Sequence, residues 1–171
     1  TDVRDMGLKE QTSFFSDESL DINSLEDAVS KISSVELAFA EAVIKNKKIK
    51  KVVQWGCKEG GYIFSLAEKF PDKEFVGIDD PIMCNRATVF NKFENADFVP
   101  NKDGESLLRL QEADCVIFYG ILEYREKPWL FIDEMEKRVR NGARILISTT
   151  YGDWKDKGEK YKSRLWNLDR H

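Results

Sequence analysis

Apolar positions along the chain switch between a helical spacing and short continuous runs. From Leu25 they recur at Val29, Ile32, Phe39 and Val43, largely on one face of a helix. Ser24, with Asp27 three residues on, resembles a capping box for the N–H groups that a first helical turn leaves unpaired. The spacing predicts a helix over about 24–46. Strands are expected at Lys51–Trp55, Glu74–Ile78, Ala96–Val99, Asp114–Tyr119 and Arg144–Thr149. Helices are expected between them at Gly60–Phe70, Pro81–Phe93 and Trp129–Val139, with one or two turns at Asp103–Leu110. Pro81 suits a first helical position, where a missing N–H costs little. Ile132, Met135 and Val139 share one face of the last helix, and Asn141–Gly142 reads as its stop. Residues 1–20 are polar apart from Phe14–Phe15, and no period is legible after Tyr151.

Short strands alternating with helices argue for an α/β fold, a doubly wound, mostly parallel sheet with helices on both faces. The strands are apolar runs rather than alternations, as strands covered on both faces require. A single domain is expected over 1–171: an N-terminal arm and helix (1–46), a core (47–150) and a C-terminal segment (151–171). Ligands of such sheets bind beyond the carboxyl ends of the strands. The stretches to watch are therefore Gly56–Gly61, Asp79–Asp80, Asn101–Asp103, Tyr119–Tyr124 and Thr149–Gly152.

Composition narrows the partners. The formal net charge of −4 gives no electrostatic case for nucleic acid or an anionic membrane, so neither is expected as a partner. The basic run Lys45–Lys51 reads as a helix end, where cations suit the macrodipole. Cys57, Cys84 and Cys115 are far apart and in no metal spacing, which predicts reduced buried thiols, no metal site and a cytoplasmic setting. No apolar run reaches membrane-spanning length.

The candidate chemistry begins at VVQWGCKEGG, Val52–Gly61. A glycine directly after a strand permits a sharp turn and lets a ligand approach the backbone. Glycines at 56, 60 and 61 do not make the dinucleotide pattern G-x-G-x-x-G, and no Lys-Ser/Thr pair completes a phosphate loop. The stretch alone is either a cofactor loop or a plain strand-to-helix turn. EFVGIDD adds Asp79 at the end of the second strand, where a carboxylate can accept hydrogen bonds from ribose hydroxyls or cap the next helix. Asp80 is open to the same two roles, with capping favoured.

Taken together, KVVQWGCKEGGYIFSLAEKF, EFVGIDDP, ADFVPNKDGESL and ADCVIFYGILEYREKPWLFIDEMEKRVRNGARILISTTYG resemble the class I S-adenosylmethionine-dependent methyltransferase family, over roughly Lys51–Gly152. The resemblance implies a Rossmann-like sheet with parallel strands in the order 3-2-1-4-5, S-adenosylmethionine as cofactor, and methyl transfer to a small-molecule acceptor such as a sugar. It implies cofactor contacts from Gln54, Gly56, Cys57, Lys58, Gly60, Asp79, Asp80, Asp103 and Tyr119. Glu123, Tyr124 and Tyr151, after the fourth and fifth strands, are the acceptor-side candidates. The amino-methylating signature of nucleic-acid enzymes is absent after Tyr119, which again points away from a DNA or RNA base. Two positions depart from the family. Gln54 stands where an acid usually helps hold the cofactor's ammonium group, a change worth about 1–2 kcal/mol. Lys58 replaces the middle glycine of the loop and either obstructs the cofactor or reaches its carboxylate. These departures keep a second reading open, a catalytically inactive binding or scaffold module. Too few residues follow the fifth strand for the family's antiparallel hairpin. A single strand near Arg164–Leu168 is expected instead, with an edge that is open, truncated or paired in an oligomer.

Overall fold

The structure is a computed structural model that describes residues 22–102, 104–122, 125–151 and 162–169, without the side chains of 150–151 and 162–169. One six-stranded sheet organises it. Its strands are β1 (Lys51–Trp55), β2 (Glu74–Asp79), β3 (Ala96–Pro100), β4 (Cys115–Tyr119), β5 (Arg144–Tyr151) and β6 (Lys162–Asp169), in the spatial order 3-2-1-4-5-6. The first five are parallel, with Gln54 of central β1 facing Gly77 of β2 and Ile117 of β4. β6 runs antiparallel to β5, from Arg144 opposite Asp169 to Tyr151 opposite Lys162. The expected order and the single extra strand are both present.

Six helices are described: α1 (Leu25–Ser30), α2 (Ser34–Ile44), α3 (Gly61–Lys69), α4 (Pro81–Phe90), α5 (Gly104–Glu112) and α6 (Pro128–Arg138). One face of the sheet buries Val52, Phe75, Phe98, Cys115, Ile117, Tyr119 and Leu146 with residues of α1 to α4. The other buries Val53, Trp55, Val76, Ile78, Val116, Phe118 and Ile147 with Leu110, Phe131 and Met135. Alternate strand residues thus serve opposite cores, as strand geometry demands.

Two expectations change. The predicted helix over 24–46 is two helices. Ser24 caps the first as expected, accepting the Asp27 N–H at 3.0 Å. The chain then breaks at Lys31–Ser33, because Ser33 caps a new helix through the Glu36 N–H while its own N–H bonds the Tyr62 hydroxyl at 3.0 Å. That break lets α1 lie against the start of α3. A Cβ on Gly61 would stand 2.4 Å from the Ala28 carbonyl oxygen, so only glycine allows this approach. The second change is on α6, where Phe131, not Ile132, joins Met135 and Val139 in the core and Ile132 is exposed. No described helix is long and apolar enough to cross a membrane.

Candidate functional site

The loop after β1 is fixed by its neighbours. The N–H groups of Gly56 and Cys57 both donate to the Ile78 carbonyl, at 2.7 and 3.1 Å. Gly56, Lys58 and Gly60 all have positive φ, at 87°, 51° and 92°. Glycine adopts this backbone freely, whereas a side chain there costs on the order of 1–2 kcal/mol. Lys58 is therefore strained as well as unusual in sequence. Its N–H donates to Asp79 Oδ2 at 2.9 Å, which holds the strained turn against the end of β2.

Asp79 is buried, and its other oxygen accepts the Asp80 N–H at 2.7 Å. Burial pushes its carboxyl up to about 6, against the amide donors of Asp80 and Lys58 that favour the ionised form. Each oxygen keeps a further lone pair after its amide bond, so the carboxylate can anchor the loop and still accept from a ligand hydroxyl. Asp80 caps α4 by accepting the Met83 N–H at 2.8 Å.

Gln54 and Asp79 project from the same face of the sheet, the face covered by α1 to α4. Gln54 is 2% exposed, and its Oε1 has no hydrogen-bond partner among the described residues. Trp55 Nε1, on the opposite face of β1, and Glu59 Oε1 in the loop share that condition, which places three such atoms within Gln54–Glu59. Buried polar groups are nearly always paired, and such a cluster marks a place where partners come from a ligand or water. Glu59 also lies 3.8 Å from the Arg86 guanidinium of α4, which itself donates to the Ile22 carbonyl. Sequence reasoning missed Glu59. A carboxylate between Lys58 and a left-handed glycine was the available signal, but its burial depends on α4 and on the chain before α1.

Cys57 is buried against Gly77, where a Cβ would come within 2.7 Å of its sulfur. Burial, together with the adjacent Cys84 thiol, holds the Cys57 thiol well above its ordinary range, so it stays protonated and serves as packing. Cys84 and Cys115 are likewise free and buried.

Tyr119 ends β4 and is buried, its hydroxyl donating to the Glu36 carbonyl oxygen of α2 at 3.0 Å. Its ring meets that of Tyr62 edge to face at 5.3 Å. The Tyr62 hydroxyl in turn donates to Glu36 Oε2 at 2.8 Å. Burial, then the Glu36 charge, raises both phenols far above their ordinary range, so both remain neutral donors. Neither Glu36 nor Tyr62 was singled out from sequence. They meet only because α2 is laid against α3 and the end of β4. Asp103, Glu123 and Tyr124 lie outside the described residues. Tyr151 closes β5, with its side chain outside the description.

No family model matches the chain. Two curated relatives are the tRNA U34 carboxymethyltransferases of Sulfurimonas denitrificans and Aliarcobacter butzleri. They are 28% identical over 109 and 107 residues, which is 62% and 61% of this chain but 36% and 35% of theirs. The chain thus spans about a third of the length of the curated relatives it matches. Similar solved structures include the plantazolicin methyltransferase BamL bound to a desmethyl analog and SAH, with a TM-score of 0.59 and 18% identity over 85% of this chain and 57% of that one. An S-adenosylmethionine-dependent methyltransferase from Geobacter sulfurreducens with S-adenosyl-L-homocysteine has a TM-score of 0.57 and 18% identity, covering 81% of this chain and 55% of its own. The SAH-bound N-terminal domain of EvdMO1 has a TM-score of 0.55 and 21% identity, covering 75% and 55%. At these identities the likeness concerns the fold.

Proposed function

We propose that this chain, whose fold is that of the class I S-adenosylmethionine-dependent methyltransferases, binds S-adenosylmethionine over the Gly56–Gly60 loop and directs its methyl group to a small-molecule acceptor. The observation that carries the reading is Gln54 Oε1, a buried acceptor without a partner among the described residues, at the carboxyl end of the central strand. The cofactor's ammonium group is a donor of the kind that atom lacks. The rest of the site fits the same ligand. Left-handed Gly56 and Gly60 turn the loop tightly at the end of β1, and Asp79 retains lone pairs for ribose hydroxyls.

When bound, the cofactor supplies an electrophilic methyl group and its own leaving group, so the protein's share is alignment and exclusion of water. In this reading Asp79 orients the ribose, Gln54 accepts from the ammonium, and Lys58 lies beside the cofactor's carboxylate. Tyr119 and Tyr62 wall the cleft on the α2 side, while Glu123, Tyr124 and Tyr151 are the acceptor-side groups. The free, buried thiols of Cys57, Cys84 and Cys115 support a cytoplasmic setting.

A second reading is favoured by the curated relatives, whose names specify a tRNA base as acceptor and carboxymethyl as the group transferred. The net charge of −4 weighs against it. Calorimetric titration with S-adenosylhomocysteine tests the cofactor site, and absence of binding would reject both readings. Incubation of a small-molecule panel with S-adenosylmethionine, and of bulk tRNA with the analogue whose sulfonium carries a carboxymethyl in place of the methyl group, read by mass spectrometry as gain of a methyl or of a carboxymethyl group, then separates them. Binding without turnover on any acceptor would favour the inactive binding module.

A further inference from the structure

The replacement of the usual acid by Gln54 leaves the proposed site with a neutral acceptor where it meets a cationic group. Other carboxylates at the strand ends are committed. Asp79 holds Lys58 and Asp80, Asp80 caps α4, and Glu59 faces Arg86. Glu36 is different. It comes from α2, outside the sheet, and the structure fixes it over the same sheet face as Gln54.

The placement follows from register. Gln54 of β1 is opposite Ile117 of β4, and Tyr119, two residues further along, projects from the same face. Tyr119 donates to the Glu36 main chain, and Tyr62, directly after the glycine loop, donates to the Glu36 carboxylate at 2.8 Å. The Ser33 N–H donates to the Tyr62 hydroxyl in turn, which fixes that hydroxyl's orientation. The carboxylate is half-buried and has no cationic partner among the described residues. A carboxylate has about four acceptor sites, and Tyr62 uses one.

We infer that Glu36, held by Tyr62 and Tyr119, supplies toward the cofactor's ammonium group the negative charge that Gln54 does not. The inference rests on the proposed S-adenosylmethionine site and deepens it. The acid that the family carries on β1 is here delivered by the N-terminal helix pair, so that cofactor affinity depends on α2 being docked. A charged acceptor makes a shorter and stronger bond than an amide oxygen, and it is selective for a ligand that carries the amine.

The test compares two probes on the full chain: S-adenosylhomocysteine, and 5′-deoxy-5′-methylthioadenosine, which shares the adenosine and thioether but has no amino-acid portion. Glu36→Gln is expected to weaken S-adenosylhomocysteine about tenfold and to leave methylthioadenosine within about twofold. Adding Gln54→Glu to that variant should restore most of the loss, which a merely structural role for Glu36 would not allow. Equal weakening of both probes, or no weakening of either, overturns the inference. So does a selective loss in Glu59→Gln with Glu36→Gln silent, because it moves the charge to Glu59. A parent protein that binds neither probe overturns the cofactor reading itself, an outcome distinct from the others.

Discussion

Asp114 and Asp79 sit at opposite ends of the same sheet, and their carboxyl groups are displaced in opposite directions. Asp114, just before β4, accepts the N–H groups of Lys50 and Lys51 at 2.8 and 2.9 Å, and the Arg140 guanidinium as well. Partial burial would raise it, yet those donors together hold it below the usual carboxylate range. Nearby, buried Lys73 donates to the carbonyls of Asn46 and Ile49, the chain that leaves α2. Every polar group named at this end has its partner within the fold. At the carboxyl ends Asp79 is raised, Lys58 is strained, and Gln54, Trp55 and Glu59 each leave a buried atom without a hydrogen bond among the described residues. One end uses polarity to fasten helices to the sheet. The other tolerates cost, which is the pattern expected where a ligand completes the hydrogen bonding.

The largest effect that would sharpen this contrast is pH dependence. Because the folded-state value of Asp79 lies above its unfolded value, its contribution favours folding at low pH and is lost as pH rises through about 6. The shift corresponds to about 3 kcal/mol at most. Urea unfolding of the ligand-free protein should show this loss between about pH 4 and 6, and Asp79→Asn should flatten it. Binding should run the other way. S-adenosylhomocysteine affinity is expected to rise through about pH 6 as the acceptor ionises, and an affinity independent of pH would contradict a role for Asp79 on the ribose. Asp114, held low, stabilises the fold at neutral pH and loses that contribution only as pH falls through the acid range.

Next comes Asp79→Ala. It removes the proposed ribose acceptor together with the anchor of the Lys58 and Asp80 N–H groups. Cofactor binding should weaken by about 1.5–3 kcal/mol, with a stability loss of about 1–3 kcal/mol from the stranded donors. Asp114→Ala is the matched control. It should lower the unfolding free energy read from urea titration by about 1–2 kcal/mol, because its donors are partly solvated, while S-adenosylhomocysteine affinity stays that of the parent. A large affinity loss there would erase the distinction between the two ends.

The smallest effect belongs to Lys58→Gly. Relief of the left-handed strain should raise stability by about 0.5–1 kcal/mol, less than the full strain because glycine also loosens the unfolded chain. If the ammonium lies beside the cofactor's carboxylate, affinity should fall about threefold at low salt, with the deficit shrinking as salt is raised. Tighter binding in calorimetry would instead identify Lys58 as an obstruction.

Much of this was legible in the residues themselves. Apolar runs such as Cys115–Tyr119 can be satisfied only as strands covered on both faces, so the parallel sheet follows from local pattern. Gly56, Gly60 and Asp79 mark the strand ends because backbone freedom and a terminal carboxylate are properties of the residue types alone. The break between α1 and α2 was not legible. Ser33 is an ordinary serine within a helical period until the Tyr62 hydroxyl, twenty-nine positions away, takes its N–H.

The chain's own pattern therefore determined the strands, most of the helices, and the glycine loop with Asp79 beside it, while the strand order came from the family resemblance of its motifs. Only the tertiary structure decided that Phe131 rather than Ile132 is core, that Lys58 has a left-handed backbone, that Glu59 is buried near Arg86, and that Glu36 meets Tyr62 and Tyr119. The reason is range. Periodicity and residue type act over a few neighbouring positions. Burial, an atom left without a partner, and a hydrogen bond between distant residues exist only after the helices have been laid on the sheet.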